Sequence, residues 1–347
     1  MYTKLFINDF VTLGNLINPA FSDNEEYLLS KSDFNNSFDH NSFFTRAMQL
    51  KALEAVCSMF LKSDELNLWL SEYKNKIKER DETVALIMAG NIPLVGFHDF
   101  LSVLASGYKA EVKLSSKDRI LLHAIIELLF SINSYRKSRI SVVPELNITN
   151  KYKYVIAAGS DETVEAISKK FCNSTLLLRG SRSSVALLSG EESDDVLKLL
   201  GEDVFTYFGL GCRSISSLFV PFGYNHNRLS EAFSPFRVQM LSNESYSASY
   251  IQKRAILTLN NSNFFDGGFF LLANFEKMPP PLGCINLHYY KNIAEVTHFL
   301  ITEKNNIQAV CSDGVIPKSV KPGQMQYPAL TDYADGINTL DFLLNNF

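Results

Sequence analysis

The first half of the chain alternates short apolar runs with longer segments whose apolar residues recur at helical spacing. The run 84–89 is continuously apolar and predicts a buried strand, whereas 94–106 has helical periodicity and ends at Gly107, a helix-terminating residue. The alternation continues with strands predicted at 110–114, 154–158 and 175–178 and helices at 118–131 and 162–171. This pattern predicts an α/β fold with a mostly parallel sheet covered on both faces.

The second half also alternates strands with helices, but it contains a longer helix-rich stretch at 229–259. Strands are predicted at 184–188, 269–273, 285–289 and 308–311, and helices at 193–200, 213–218 and 293–301. The segment before residue 80 is predicted to be mostly helical and to form a layer on the first sheet.

The length of the chain indicates two domains, because 347 residues are too many for one compact core. We place the first domain at 1–198, where the helical N-terminal layer precedes the alternating region. The second domain is predicted at 199–324, and 325–347 are expected to return to the first.

Composition and charge narrow the classes of partner. The formal net charge is −4 and there is no polybasic block, which argues against nucleic acid as the main partner. No apolar run reaches the roughly 18 residues of a membrane span, and the first residues lack the hydrophobic region of a signal peptide. The five cysteines are an odd number without close pairing, and cysteines and histidines show no metal-ligand spacing. We therefore expect a cytoplasmic protein with free thiols, no stable membrane span and no metal.

One cysteine stands in an unusual local sequence, Tyr-Phe-Gly-Leu-Gly-Cys-Arg-Ser at 207–214. Gly209 and Gly211 let a ligand approach the backbone because neither has a Cβ atom. With a helix predicted from Arg213, the Cys212 thiol would meet unpaired N–H groups and the positive end of a helix dipole, which favour thiolate. Cys212 is therefore the candidate nucleophile. The alternative is a small core residue, which is the more frequent role of a free cysteine.

Polar and glycine residues lie at or just beyond the ends of three predicted strands of the first domain. They are Asn91, Lys113, Ser115, Gly159 and Ser160. A strand, a tight turn and a helix make half of a dinucleotide-binding unit, and a lysine with hydroxyls beyond a strand suits the ribose and phosphate of a nucleotide. Each also has an ordinary alternative: a turn asparagine, a solvated lysine, a turn glycine and a helix-capping serine. The absence of a Gly-x-Gly-x-x-Gly sequence disfavours an ordinary Rossmann dehydrogenase.

Three stretches taken in order resemble the aldehyde dehydrogenase superfamily. They are 88–114 with its Gly-Asn-Ile-Pro-Leu turn, 205–221 with Gly-Leu-Gly-Cys, and 321–336, Lys-Pro-Gly-Gln-Met-Gln-Tyr-Pro-Ala-Leu-Thr-Asp-Tyr-Ala-Asp-Gly. More narrowly, the chain resembles the acyl-CoA reductases related to the fatty-acid reductase of bacterial bioluminescence, over about residues 80 to 347. The resemblance implies a Rossmann-type nucleotide-binding domain and a second α/β catalytic domain. Because the superfamily usually forms oligomers, it also implies a homo-oligomer.

The resemblance implies reduction of an activated fatty acyl thioester to an aldehyde through an acyl-enzyme on Cys212. The side-chain amide of Asn91 and the backbone N–H of Cys212 would stabilise the oxyanion. Lys113, Ser115, Gly159 and Ser160 would bind a nicotinamide cofactor. Lys113 together with the nearby cations Lys117 and Arg119 favours NADPH, and NADH stays open. The acyl donor would be acyl-CoA or an acyl group held by a carrier or acyl-transfer protein.

One departure from the superfamily bears on the reaction. Hydrolytic aldehyde dehydrogenases carry a water-activating glutamate in a Glu-Leu-Gly-Gly-Lys stretch, and the matching residues 178–182 contain no carboxylate. The absence of this glutamate favours transfer of the acyl group between thiols over its hydrolysis to an acid. Two alternatives within the superfamily stay open, a short-chain CoA-acylating aldehyde dehydrogenase and an acyl-phosphate reductase. A third is a non-catalytic subunit that binds an acyl-transfer partner. The stretch 324–334 suggests no chemistry and is interpreted as a structural strand or an interdomain tie.

Overall fold

The computed structural model describes residues 2–21, 31–149, 152–275 and 277–345. The chain divides into two compact units, the first formed by Met1–Gly180 and Pro328–Phe347 and the second by Ser181–Tyr327. Each unit has its own sheet and its own apolar core, as expected for a chain of this length. No helix in the described ranges combines the length and the apolar character needed to cross a bilayer.

The first unit begins with helices, as the apolar spacing before residue 80 predicts. They are α1 (Tyr2–Ile17), α2 (Lys31–His40), α3 (Arg46–Met59) and α4 (Ser63–Leu70). α1 buries Phe6, Phe10 and Leu13, which recur every three or four residues and therefore share one face. Asp9 of the same helix accepts a hydrogen bond from Arg136 Nε at 2.7 Å, so each of these two buried charges has an opposite partner.

A five-stranded parallel sheet forms the centre of the first unit. Its strands are β1 (Thr83–Ile87), β2 (Lys109–Lys113), β3 (Ile140–Val142), β4 (Tyr154–Ala158) and β5 (Thr175–Arg179), in the order β3-β2-β1-β4-β5. β1 lies between β2 and β4, and its Leu86 pairs with Val112 on one side and Ile156 on the other. The connecting helices are α5 (Phe97–Ala105), α6 (Leu121–Ile132) and α7 (Asp161–Lys170). This is the parallel α/β arrangement that the apolar pattern predicts.

A six-stranded sheet forms the centre of the second unit. Its strands are β6 (Ser183–Leu187), β7 (Ile215–Pro221), β8 (Phe265–Asp266), β9 (Leu271–Ala273), β10 (Cys284–Tyr290) and β11 (Ile307–Ser312), in the order β11-β6-β7-β10-β9-β8. The short edge strand β8 pairs antiparallel with β9, and the other neighbouring strands are parallel. The helices are α8 (Asp194–Phe205), α9 (Asn227–Phe233), α10 (Arg237–Ser242), α11 (Glu244–Leu259) and α12 (Ile293–Thr302).

The helix predicted at 213–218 is wrong, because this segment enters the central strand β7. Residues 215–220 are all buried, since β7 pairs with β6 on one side and β10 on the other and both faces of the sheet are covered. The serines within β7 look like a helix start in the local sequence. The backbone N–H groups of this segment therefore lie in a strand, and the helix-dipole argument for a Cys212 thiolate does not hold.

The two units divide earlier in the chain than the sequence predicts. Residue 198 lies inside α8, which belongs to the second unit, and β6 also belongs there because it pairs with β7 and β11. The partner strand β11 is distant in sequence, so no local pattern shows this pairing. The chain returns to the first unit at Pro328 and ends with α13 (Thr339–Leu344), which packs against α5.

Candidate functional site

In the first unit, the predicted site residues lie at one edge of the sheet. Asn91 follows β1, Ser115 follows β2, and Gly159 follows β4. These three strands are parallel neighbours, so the loops that leave their carboxyl ends meet at the same edge. In open α/β sheets this edge forms the ligand crevice, at the point where the strand order reverses. The reversal here is at β1, because β2 lies on one side of it and β4 on the other.

The turn that carries Asn91 is held against the loop after β2. A Cβ atom at Gly90 would lie 2.4 Å from Ser115 Oγ, so only glycine permits this close approach. Leu94 has a φ of +59°, a conformation that is costly for a branched side chain. Its backbone N–H donates to Asp118 Oδ2 at 2.8 Å. The position of Asn91 is therefore set by contacts on both sides of its turn.

Asp118 is a residue of this edge that the sequence did not single out. Its side chain is buried, and the burial raises the pKa of the carboxyl to about 7, while the Leu94 N–H lowers it. In the sequence it follows Ser115, Ser116 and Lys117, a polar context typical of an exposed turn. It contacts the Leu94 turn, which is 24 residues away in the chain, so no local signal identifies it.

Replacing Asp118 with asparagine should stabilise the first unit more as the pH rises. The substitution keeps an acceptor for the Leu94 N–H but removes an ionisation whose pKa is about 7 in the fold against an ordinary 3.8. A raised folded-state pKa means that wild-type stability is lost as the pH rises through this range. The free energy of unfolding of D118N relative to wild type should rise by up to about 4 kcal/mol between about pH 4 and about pH 8.

Urea unfolding followed by fluorescence measures this difference, because the chain has one tryptophan, the buried Trp69 of the first unit. Asp81→Asn is the control. The Asp81 carboxyl is exposed, and Lys109 lowers its pKa. The free energy of unfolding of D81N relative to wild type should therefore, if it changes at all, fall as the pH rises. A D118N difference that stays flat with pH would show that Asp118 does not titrate in this range.

Lys113 and Ser115 both lie at the predicted edge, and each has a partner within the unit. Lys113 ends β2, and its Nζ is 3.7 Å from Oε1 of the exposed Glu145. Ser115 Oγ accepts the Lys117 N–H at 3.2 Å. The lysine pair is partly exposed and therefore contributes little to stability. Both side chains are accessible to a ligand of this edge.

Gly159 and Ser160 join β4 to α7. Ser160 caps the helix, because its Oγ accepts the Thr163 N–H at 3.4 Å. Asp161 and Glu162 occupy the first turn, where their charges complement the helix dipole. The negative charges of these carboxylates would repel a phosphate at the same helix start. The geometry therefore favours the capping role for Ser160, the alternative that the sequence left open.

In the second unit, Cys212 lies in the loop that enters the amino end of β7. The loop follows a 3₁₀ turn at Thr206–Gly209, in which Tyr207 and Phe208 have φ of 56° and 57° and Gly209 has 74°. Left-handed conformations at two bulky residues cost about 1–3 kcal/mol each. Both side chains are buried, and their packing holds this conformation. The chain thus adopts a strained turn directly before the candidate nucleophile.

Hydrogen bonds hold the backbone at Cys212 and at the two residues that follow it. Ser184 Oγ on β6 donates to the Cys212 carbonyl at 2.9 Å, and Arg213 Nε donates to the Met325 carbonyl at 2.6 Å. The Ser214 N–H donates to the Gly211 carbonyl at 3.0 Å. The Cys212 backbone is therefore held in one place, with its carbonyl directed to β6.

Cys212 differs from the buried cysteines of the chain because its side chain is partly exposed. Burial raises the pKa of the Cys57 and Cys284 thiols to about 12 and also raises that of Cys311. Such thiols stay protonated and inert near neutral pH. Cys172 is exposed but lies in the first unit, after α7. Cys212 is thus the cysteine of the second unit that is not buried.

A small, mainly apolar cavity of about 150 Å³ adjoins the Cys212 loop within the second unit. Phe208, Leu210 and Gly211 of the loop line one side, and Leu282 and Ile285 lie among the residues opposite. The starts of β6, β7 and β10 contribute to the wall, so the cavity lies at the amino ends of these parallel strands. It can take a small apolar group beside the 208–211 part of the loop that carries the candidate nucleophile.

The first buried carboxylate after the 178–182 stretch is Glu192, and its geometry does not suit water activation. Its side chain is buried and accepts hydrogen bonds from Ser189 Oγ at 2.9 Å and the Gly190 N–H at 3.1 Å. It follows the carboxyl end of β6, whereas Cys212 precedes the amino end of β7. Because β6 and β7 are parallel, the two residues lie at opposite edges of the sheet.

No group of three or more His, Cys, Asp or Glu side chains in the described ranges is arranged to hold a metal ion. That the protein binds no metal stays a prediction from the sequence. Asn91 and Cys212 belong to different units, and their cooperation also stays a prediction.

Comparison with solved structures identifies the fold. The structure of lactaldehyde dehydrogenase aligns with a TM-score of 0.63 and 13% identity over 90% of this chain and 74% of that chain. Succinic semialdehyde dehydrogenase from Streptococcus pyogenes, in complex with NADP⁺ as the cofactor, aligns with a TM-score of 0.60 and 13% identity. The alignment covers 90% of this chain and 78% of that chain. Mycobacterium tuberculosis aldehyde dehydrogenase complexed with NAD⁺ aligns with a TM-score of 0.58 and 12% identity. The alignment covers 88% of this chain and 72% of that chain. At these identities the similarity establishes the aldehyde dehydrogenase fold.

Comparison of the sequence with protein families gives a narrower result, although no curated protein matches the chain. The family acyl-CoA reductase (LuxC) matches residues 62–322, which include Asn91, Lys113 and Cys212. This match covers most of both units and agrees with the fold. The chain therefore belongs to the LuxC family of acyl-CoA reductases.

Proposed function

We propose that the chain reduces an activated fatty acyl thioester to an aldehyde through an acyl-enzyme on Cys212, with a nicotinamide cofactor as the reductant. The family and the fold make it an acyl-to-aldehyde reductase in general terms. The observation that carries the finer proposal is the Cys212 loop. It holds a partly buried cysteine in a hydrogen-bonded backbone, and the preceding residues 208–211 line an apolar cavity.

The proposed reaction begins with attack of the Cys212 thiolate on the thioester carbonyl. The bond from this carbon to Cys212 forms as the bond to the departing thiol breaks, which leaves an acyl-enzyme. The negative charge that develops on the carbonyl oxygen needs fixed donors. We assign this task to the backbone N–H of Cys212 and the side-chain amide of Asn91, both of which stand in loops held by several contacts.

The edge of the first unit suits a nicotinamide dinucleotide. Lys113 and Ser115 would hold the ribose of the adenosine half, and Gly159 would let the cofactor approach the end of β4. Asp161 and Glu162 disfavour a phosphate at the start of α7, so Ser160 acts as a cap. When bound, the reduced cofactor supplies the hydride that reduces the acyl carbon. Similar structures are complexes with NADP⁺ or NAD⁺, and the cations near Lys113 favour NADPH.

Release of an aldehyde rather than an acid requires that water does not reach the acyl-enzyme in an activated form. The 178–182 stretch has no carboxylate, and Glu192 is bound to its own loop at the other edge of the sheet. The chain's residues therefore support a reductase and not a hydrolytic dehydrogenase. The physiological donor would be acyl-CoA or an acyl group delivered by a carrier or transfer protein.

A panel of substrates tests this function. Acyl-CoA esters from acetyl to hexadecanoyl and an acyl phosphate are incubated with NADPH or NADH, and aldehyde is quantified. We expect aldehyde from a fatty acyl-CoA, faster with NADPH. If the whole acyl chain had to fit in the cavity of about 150 Å³, the shortest esters would react fastest, and that result would support the short-chain alternative. Aldehyde from the acyl phosphate alone would contradict a thioester substrate, and no aldehyde from any donor would favour the non-catalytic alternative.

A further inference from the structure

The segment Lys321–Tyr327 is a sequence motif that the proposed chemistry does not use. It belongs to the second unit and precedes the return of the chain to the first. Gly323 has a φ of +82°, and a Cβ there would lie 3.0 Å from the Leu199 side chain of α8. Met325 is completely buried and Gln326 nearly so. The segment is therefore packed tightly onto the second unit, and its positive φ favours glycine where it approaches α8.

Asp203 of α8 holds this segment with both of its carboxylate oxygens. Oδ2 accepts the Gly323 N–H at 2.6 Å, and Oδ1 accepts the Met325 N–H at 3.0 Å. The residue is only 1% exposed, so its charge is stabilised by these donors rather than by water. A buried carboxylate that binds two backbone N–H groups of a distant segment fixes the position of that segment.

The same segment contacts the neighbour of the proposed nucleophile. The Met325 carbonyl accepts a hydrogen bond from Arg213 Nε at 2.6 Å, and Arg213 directly follows Cys212. Asp203 therefore reaches the loop through two linked contacts, first to the Met325 N–H and then from the Met325 carbonyl to Arg213. Ser184 fixes the same loop from β6. The strained turn at Tyr207 and Phe208 precedes the loop, so the loop needs such contacts to keep its shape.

We propose that Asp203 is a positioning residue for Cys212, acting through the 323–325 segment and Arg213. It sets the orientation of the Cys212 backbone and thereby of the thiol. The inference rests on the proposed function in that Cys212 is the group being positioned. It also gives the Lys321–Tyr327 motif a role, since this segment carries the contact from α8 to the nucleophile loop.

Asp203→Asn tests the proposal, because asparagine retains one acceptor oxygen and loses the other. The rate of iodoacetamide alkylation of Cys212 is followed against pH by peptide mass mapping, which separates Cys212 from the exposed Cys172. We expect at least a threefold change in the Cys212 alkylation rate or a displaced pH profile. In the reductase assay, kcat should fall about tenfold with KM for the thioester within twofold. Asp266→Asn is the matched control, because Asp266 also accepts a glycine N–H, that of Gly268, at the far edge of the sheet.

A double-mutant cycle separates positioning from general stability. Arg213→Met removes the donor to the Met325 carbonyl. If Asp203 acts through this contact, the Cys212 alkylation rate of the double variant D203N/R213M should differ less than twofold from that of R213M alone. Additive effects, or a D203N protein that alkylates like wild type, would overturn the proposal. So would equal alkylation changes in D203N and D266N. The alkylation measurement needs no acyl donor, so it decides the positioning role even if Cys212 accepts no acyl group.

Discussion

Cys212→Ala protein should form no acyl adduct and reduce no acyl-CoA, while its affinity for NADPH stays within about twofold of wild type. In the proposed reaction the thiol is the only group that bonds to the acyl carbon, so its loss removes the covalent route and not just part of its stabilisation. The rate should fall by at least about 10⁴-fold. The cofactor residues lie in the first unit and Cys212 in the second, so cofactor binding reports on the integrity of the fold.

Cys172→Ser is the matched control for this variant. Cys172 is exposed but follows α7 in the first unit, and its substitution should leave the rate unchanged. Steady-state aldehyde production and NADPH titration by fluorescence measure the two quantities. If Cys212→Ala retains more than about a hundredth of the wild-type rate, the acyl-enzyme proposal fails.

Asn91→Ala should lower kcat by about 10²–10³-fold with little change in KM for the thioester. Removal of one oxyanion donor typically has an effect of this size, because the donor acts on charge that develops only in the transition state. The turn that carries Asn91 is fixed by the contact of Gly90 with Ser115 and by the bond from Leu94 to Asp118. Asn91→Ala should therefore leave the conformation of the turn in place.

Ser116→Ala, a substitution in the neighbouring loop, is the control for the Asn91 variant. Its kcat should stay within about twofold of wild type, since no catalytic task is assigned to it. Stopped-flow measurement of acylation separates the chemical step from product release. A rise in the Kd for NADPH with unchanged acylation would show that Asn91 binds the cofactor instead.

Much of the fold follows from local sequence. Several strands are short apolar runs bounded by turn residues, and the run 154–158 coincides with β4. Asn91, Ser115 and Gly159 could be grouped because parallel strands bring the loops at their carboxyl ends to one edge. Cys212 could be selected because two glycines frame it. Each of these inferences uses residues that are close in the chain.

The features that the sequence missed depend on contacts between distant residues. β7 lies where the sequence predicts a helix, and its pairing with β6 and β10 on its two sides makes it a buried strand. Asp203 is bonded to residues 120 and 122 positions away, so nothing near it indicates its role. Asp118 is buried and accepts a hydrogen bond from Leu94, 24 residues earlier in the chain. Tertiary packing decides such positions, and local propensity does not register it.

The most direct test of the account is the intact mass of the protein after mixing with tetradecanoyl-CoA, before and after addition of NADPH. The account predicts a mass increase of one tetradecanoyl group, located on Cys212 by peptide mapping. Addition of NADPH should remove it and release tetradecanal. An adduct on Cys172, or no adduct with tetradecanoyl-CoA or any shorter acyl-CoA, would contradict the role of Cys212 as the acyl-carrying nucleophile.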